Sequence, residues 1–97
     1  MHARVTTVQV RPERLDELQR LVQEAVDALH QQPGFRGLTF LVDRDNSKGL
    51  IQTLWDSAGA LAASEGGIYR ERMLAIAPLL AAGAIRDQYE VLVHDYA

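Results

Sequence analysis

The stretch Gly34 to Asp56, GFRGLTFLVDRDNSKGLIQTLWD, constrains this chain more than any other. Phe35 to Val42 alternates loosely, Arg44 to Gly49 is a charged turn with Asp, Asn and Gly, and Leu50 to Trp55 is a return strand. The hairpin is therefore the expected centre of a small α+β sheet. Side chains alternate along a strand, so each strand splits into two sets. Leu38, Phe40 and Val42 oppose Thr39 and Leu41, and Ile51, Thr53 and Trp55 oppose Leu50, Gln52 and Leu54. Which set faces a helix is open at this level.

The flanks supply the rest of the sheet and its cover. Ala3 to Val10 is rich in β-branched residues and reads as a strand ended by Arg11-Pro12. Pro12 suits the first position of a helix, and Glu13, Asp16 and Glu17 place negative charge at its positive end. Leu15, Leu18, Val22, Ala25, Val26 and Leu29 then recur at three- and four-residue spacing until Gln31-Gln32-Pro33-Gly34 stops the helix. After the hairpin, Asp56 or Ser57 caps a short helix running to about Ser64, and Gly66-Gly67 is expected to break it. A second helix follows from Ile68 to about Leu80, with Pro78 as a kink or stop. Gln88 to His94 reads as the last strand.

The resulting order, β-α-β-β-α-β, is the ferredoxin-like arrangement: a four-stranded antiparallel sheet with its helices on one face. At 97 residues the chain is expected to be one domain spanning 1–97. Both faces of the hairpin carry large apolar residues, and leaving several in water would forfeit a few kcal/mol at ~25 cal/mol per Å². A second copy of the same sheet is the simplest cover. A homodimer packed sheet to sheet is thus expected, forming a barrel around a partly polar cavity.

Charge and composition exclude several partners. Net charge is −3, and ten Lys and Arg are scattered among thirteen acids, so there is no basic patch for nucleic acid. There is no cysteine, which removes disulfides, thiolate nucleophiles and Cys-based metal sites. No apolar run approaches the ~20 residues of a membrane span, and MHARVTTVQV is not a signal peptide. A cytoplasmic location is the expectation. His2, His30 and His94 lack metal-ligand spacing, and Gly34-Phe35-Arg36-Gly37 precedes a strand, which a dinucleotide fingerprint would not.

The element order, the Pro33-Gly34-Phe35 lead into the hairpin and the Leu54-Trp55-Asp56-Ser57 exit resemble the antibiotic biosynthesis monooxygenase family. That family belongs to the dimeric α/β-barrel superfamily. The resemblance implies a homodimer whose barrel cavity binds a small, aromatic molecule, and a cofactor-independent monooxygenase among the activities. A non-catalytic small-molecule-binding dimer, or an isomerase or cyclase on the same fold, is the alternative. Trp55 matches the family's tryptophan at the end of the third strand. The haem-degrading members also use an Asn on the first strand and a His on the second helical region. This chain offers Thr6-Thr7 and Tyr69-Arg70-Glu71-Arg72 there, which argues against haem oxygenation.

Five residues carry the candidate chemistry. Trp55 either walls the cavity and stacks on a flat ligand or is a core or interface aromatic. Tyr69 could hydrogen-bond a phenolic or carbonyl oxygen and Arg72 could stabilise an enolate, against the plainer reading of a helix start with solvated arginines. His94 could act as a general base, although Asp95 beside it on a strand would point to the other face. Glu90 could be a base if desolvated. No cofactor and no metal are expected.

Overall fold

The computed structural model describes residues 1–97. Strand β1 (His2–Gln9) leads through a single 3-10 turn at Pro12–Arg14 into α1 (Leu15–His30). The hairpin follows as β2 (Phe35–Asp43) and β3 (Lys48–Trp55). Helix α2 (Ala58–Ser64), a π-helical turn (Glu65–Tyr69), α3 (Arg70–Ile76) and a 3-10 turn (Ala77–Leu79) then lead to β4 (Ile85–Glu90). All strand pairs are antiparallel, in the spatial order β2-β3-β1-β4. This is the ferredoxin-like β-α-β-β-α-β arrangement, with both helical regions on one face of the sheet.

The local reasons follow the sequence closely. In α1 the period-3.6 stripe turns Leu18, Val22, Ala25 and Leu29 inward, and the acids Asp16 and Glu17 occupy the first turn. Ser57 caps α2, its Oγ accepting the Ala60 N–H at 3.1 Å. At the hairpin tip, Asn46 donates to the Asp43 carboxylate through its side chain (2.7 Å) and its backbone (3.3 Å), which holds Asp43 below the usual carboxylate range.

Alternation resolves the question of faces. Arg4, Thr6 and Val8 of β1, and Gly49, Ile51, Thr53 and Trp55 of β3, lie on the helix side, joined by Leu38 and Phe40 of β2. One core cluster gathers Val8, Val10, Leu18, Val22, Ile76, Leu79 and Leu80; the other gathers Ala25, Leu29, Trp55 and Leu61. The open face carries Val5, Leu41, Leu50, Leu54, Ile85 and Tyr89, of which Ile85 and Tyr89 are more than half exposed.

Two expectations are corrected. The last strand is Ile85–Glu90 and ends where Gln88–His94 was expected to be half complete. Its last ladder pair is His2 with Glu90, after which the Val91 N–H donates to the Met1 carbonyl. Val91 and Val93 therefore join no strand face. Gly66-Gly67 does not break the helix; the pair sits in a π turn through which the helical path continues from α2 to α3. Trp55, whose face was open in the sequence, lies on the helix side and is fully buried, in keeping with the core reading of its two. Pro78 acts as expected, ending α3 in a 3-10 turn.

Candidate functional site

The polar groups on the helix side of the sheet are few, and they converge. Arg4 projects from β1, one of the two central strands, under the π turn and is only 3% exposed. Its Nη1 donates to Ser64 Oγ at 2.9 Å, and that hydroxyl donates onward to the Leu61 carbonyl at 2.7 Å. The guanidinium carbon lies 4.0 Å from the centre of the Tyr69 ring and 5.6 Å from that of Trp55. Its nearest carboxylate is Glu65, 3.9 Å away, and Glu65 is engaged more closely by Arg86 of β4, at 2.5 Å. Burial dominates the balance and pulls the Arg4 guanidinium below its usual range, with Tyr69 and Glu65 opposing that shift.

Two residues along β1, Thr6 Oγ1 and the Tyr69 hydroxyl are 3.2 Å apart. Tyr69 closes the π turn, and Arg72 lies one helical turn further on, so both point down onto the sheet. The Arg72 Nε is buried and has no hydrogen-bond partner. Together with Thr53, these side chains are the polar part of a narrow cavity of about 60 Å³ between sheet and helices. Leu21, Val22, Ala25 and Leu29 of α1, Leu38 and Ile51 of the hairpin, and Ile68, Met73 and Ile76 supply most of its apolar lining. No Asp, Glu or His lines it. Tyr69 and Met73 also wall an outer groove of about 610 Å³ between α3 and the Leu80–Ala84 segment.

The five residues singled out by sequence part company here. Tyr69 and Arg72 are brought together in the cavity. Trp55 is not in its lining; it stands behind, its indole N–H donating to Thr53 Oγ1 at 3.0 Å and its ring meeting Phe35 edge-on at 5.4 Å. His94 is exposed beyond β4, where it packs edge-on against Tyr96 at 4.4 Å beside a shallow hollow on the open face. Glu90, at the end of β4, is exposed. Arg4, the most buried charge in the molecule, was not anticipated. The one signal for it was an arginine interrupting a β-branched run, at a position in phase with Thr6 and Val8.

No group of three or more His, Cys, Asp or Glu side chains is placed to hold a metal ion, and no helix is long and apolar enough to cross a membrane.

A small cavity under two helical regions, on an antiparallel sheet of this strand order, defines a ferredoxin-like α+β protein with an intramolecular cavity. The chain belongs to the antibiotic biosynthesis monooxygenase family, whose profile matches residues 1–73, from β1 into α3. Among solved structures it is similar to Rv0793 from Mycobacterium tuberculosis, at 17% identity and a TM-score of 0.81 over 98% of both chains. It is also similar to NE2512, a protein of unknown function from Nitrosomonas europaea, at 15% identity and a TM-score of 0.82 over 99% of this chain and 93% of that one. A third is the heme-degrader MhuD from Mycobacterium tuberculosis, solved with two hemes in its active site: 22% identity and a TM-score of 0.78, over 99% of this chain and all of the other. At these identities the likeness is one of fold. No curated protein matches the chain in sequence.

Proposed function

We propose that the chain acts as a homodimer that binds a small aromatic molecule beneath its helices and oxidises it with dioxygen, without a cofactor. The observation that supports this reading is the convergence of Tyr69, Thr6, Arg4 and Arg72 on one otherwise apolar cavity, in a family named for monooxygenation. Thr6 and Tyr69 are within reach of an oxygen on the ligand, and Arg72 supports negative charge that develops there. An electron-rich phenolate carbon then combines with O₂. One oxygen atom stays as a new carbonyl and the other leaves as water with the ring hydrogen and a proton from solvent, so a phenolate, a proton and O₂ give a quinone and water. The substrate supplies the electrons, and no external reductant enters. The role of Trp55 in this scheme is to hold Thr53 and the Arg4 guanidinium in place; His94 takes no part.

The test is an oxygen-electrode assay over a panel of phenols and hydroxyquinones, with Tyr69→Phe as the variant. Uptake that falls roughly 10²-fold in Tyr69→Phe, with binding retained, is the expected outcome. A second reading, a non-catalytic carrier, is favoured by one feature: the lining holds no carboxylate or imidazole to serve as a base. Tight binding with no O₂ uptake for any compound would select it.

The dimer belongs to the same proposal. The open face, with Leu41, Ile85 and Tyr89 each about half or more exposed, is continuous with the exposed Leu92, Val93 and Tyr96 of the C-terminal tail. Such a surface suits a second copy of the sheet. Sedimentation at micromolar concentration should give a dimer, and Leu50→Lys, on that face, should give a monomer with unchanged circular dichroism. A wild-type monomer would rule the dimer out.

A further inference from the structure

We infer that the ligand of the cavity is already an anion when it enters, and that Arg4 and Arg72 select it by that charge. The inference rests on the cavity being the binding site and says which chemical class it takes. The lining has two guanidinium groups and nothing that ionises to a negative charge near neutral pH. Glu65, the closest carboxylate to Arg4, lines the outer groove and not this cavity; it is 3.9 Å from Arg4 and is paired at 2.5 Å with Arg86. Neither the Ser64 hydroxyl nor the faces of Tyr69 and Trp55 neutralise a buried cation; they only solvate it. At Arg72, a buried Nε has no acceptor at all. A buried guanidinium at Arg4, and a half-buried one at Arg72 whose Nε is sequestered without a partner, are a recognition element for a delocalised oxyanion.

The hydroxyl pair agrees. Of the two protons on Thr6 Oγ1 and the Tyr69 phenol, one is used in the hydrogen bond between them, and the other is free for a ligand acceptor. A simple phenol, with a pKa near the ~10 of tyrosine, is neutral at neutral pH. It would have to lose its proton inside the cavity, where no base lines the wall. A carboxylate or an acidic enol arrives ionised and needs none. Size points the same way. About 60 Å³ is well below the ~300–1,000 Å³ of pockets that enclose a whole drug-sized ligand. It suits a charged head group, with the aromatic body in the outer groove that shares Tyr69 and Met73.

Three naphthalene-sized probes separate the possibilities in calorimetric titrations of the full chain: a hydroxynaphthoquinone ionised at neutral pH, a naphthoate and a neutral naphthol. At least one anion should bind more than about tenfold tighter than the naphthol, and which anion binds tighter identifies enolate or carboxylate as the source. Arg72→Met should weaken that anion roughly 10- to 100-fold and leave the naphthol within about twofold. Arg72→Lys should recover part of the loss. Arg4→Met should behave like Arg72→Met; if it does not fold, the wild-type and Arg72 titrations still decide. A naphthol that binds as tightly as both anions overturns the inference and leaves the cavity standing as the site. Anion binding unchanged in Arg72→Met also overturns it. If none of the three probes binds, the cavity reading fails, and this inference with it.

Discussion

Trp55→Ala lowers the free energy of unfolding by about 3–5 kcal/mol, the usual range for emptying a fully buried aromatic site. The side chain has no exposed surface, and its neighbours come from three elements: Ala25 and Leu29 of α1, Leu61 of α2 and Phe35 at the start of β2. None of these can collapse into the space without moving a helix off the sheet. The deletion also leaves the Thr53 hydroxyl without the indole N–H that it accepts. For a domain whose whole stability is about 5–15 kcal/mol, that loss is a large fraction. Urea denaturation followed by circular dichroism is the measurement, with the midpoint falling and the slope unchanged. Trp55→Phe should recover more than half, because a ring still fills most of the volume. A Trp55→Ala midpoint close to wild type would mean that α2 is not held by this contact. Since Trp55 stands behind the cavity, any loss of ligand in Trp55→Ala reports a shifted Thr53 and Arg4 and not a lost stacking surface.

Gly34→Ala is the second large effect, about 2–4 kcal/mol. Gly34 has φ +80°, a conformation that costs an L-residue energy, and an added Cβ would lie 2.6 Å from the Cβ of Ala60 in α2. Its carbonyl accepts the Asp56 N–H at 2.8 Å, so the two ends of the hairpin are tied at this residue and α2 packs directly over the tie. A double-mutant cycle separates the two terms. Ala60→Gly in the Gly34→Ala background should remove the clash and leave the backbone strain, giving a coupling of more than about 1 kcal/mol. Additive effects of the two substitutions would show that the contact is not the cause.

Most of the fold was legible because it depends on periodicity and punctuation. The β-branched run of β1, the 3.6-residue stripe of α1, the polar tip of the hairpin and the Ser57 cap are local signals, and each element forms where its signal lies. The misplaced features depend on partners. β4 is bounded by its register against β1, which no residue within Ile85–His94 encodes. The π turn survives two glycines because the helix on either side is packed onto the sheet, and packing of this kind outweighs the roughly 1 kcal/mol per residue by which glycine disfavours a helix.

The site divides along the same line. Tyr69 and Arg72 were legible as a three-residue helical pair after Gly66-Gly67, although the reason they matter is the π turn that aims them at the sheet. Arg4 was not legible as a site residue, since a charge in an antiparallel strand normally faces water. Its burial is set by Ser64, Glu65 and Tyr69, sixty and more residues away in the chain.

The sequence by itself therefore determined which segments are strands and helices, their order, and that a family of this topology contains the chain. Those properties follow from backbone preference and hydrophobic period, which act over a few residues. Only the tertiary structure decided that the hairpin turns Trp55 to the helices, that the cavity lies within one chain, and that its polar lining is cationic. A strand's alternation supplies two faces but does not say which one receives the helices. That choice is made when α1 and α2 dock, because docking buries Ala25, Leu29 and Leu61 against the indole and leaves Leu50, Tyr89 and Ile85 on the other side.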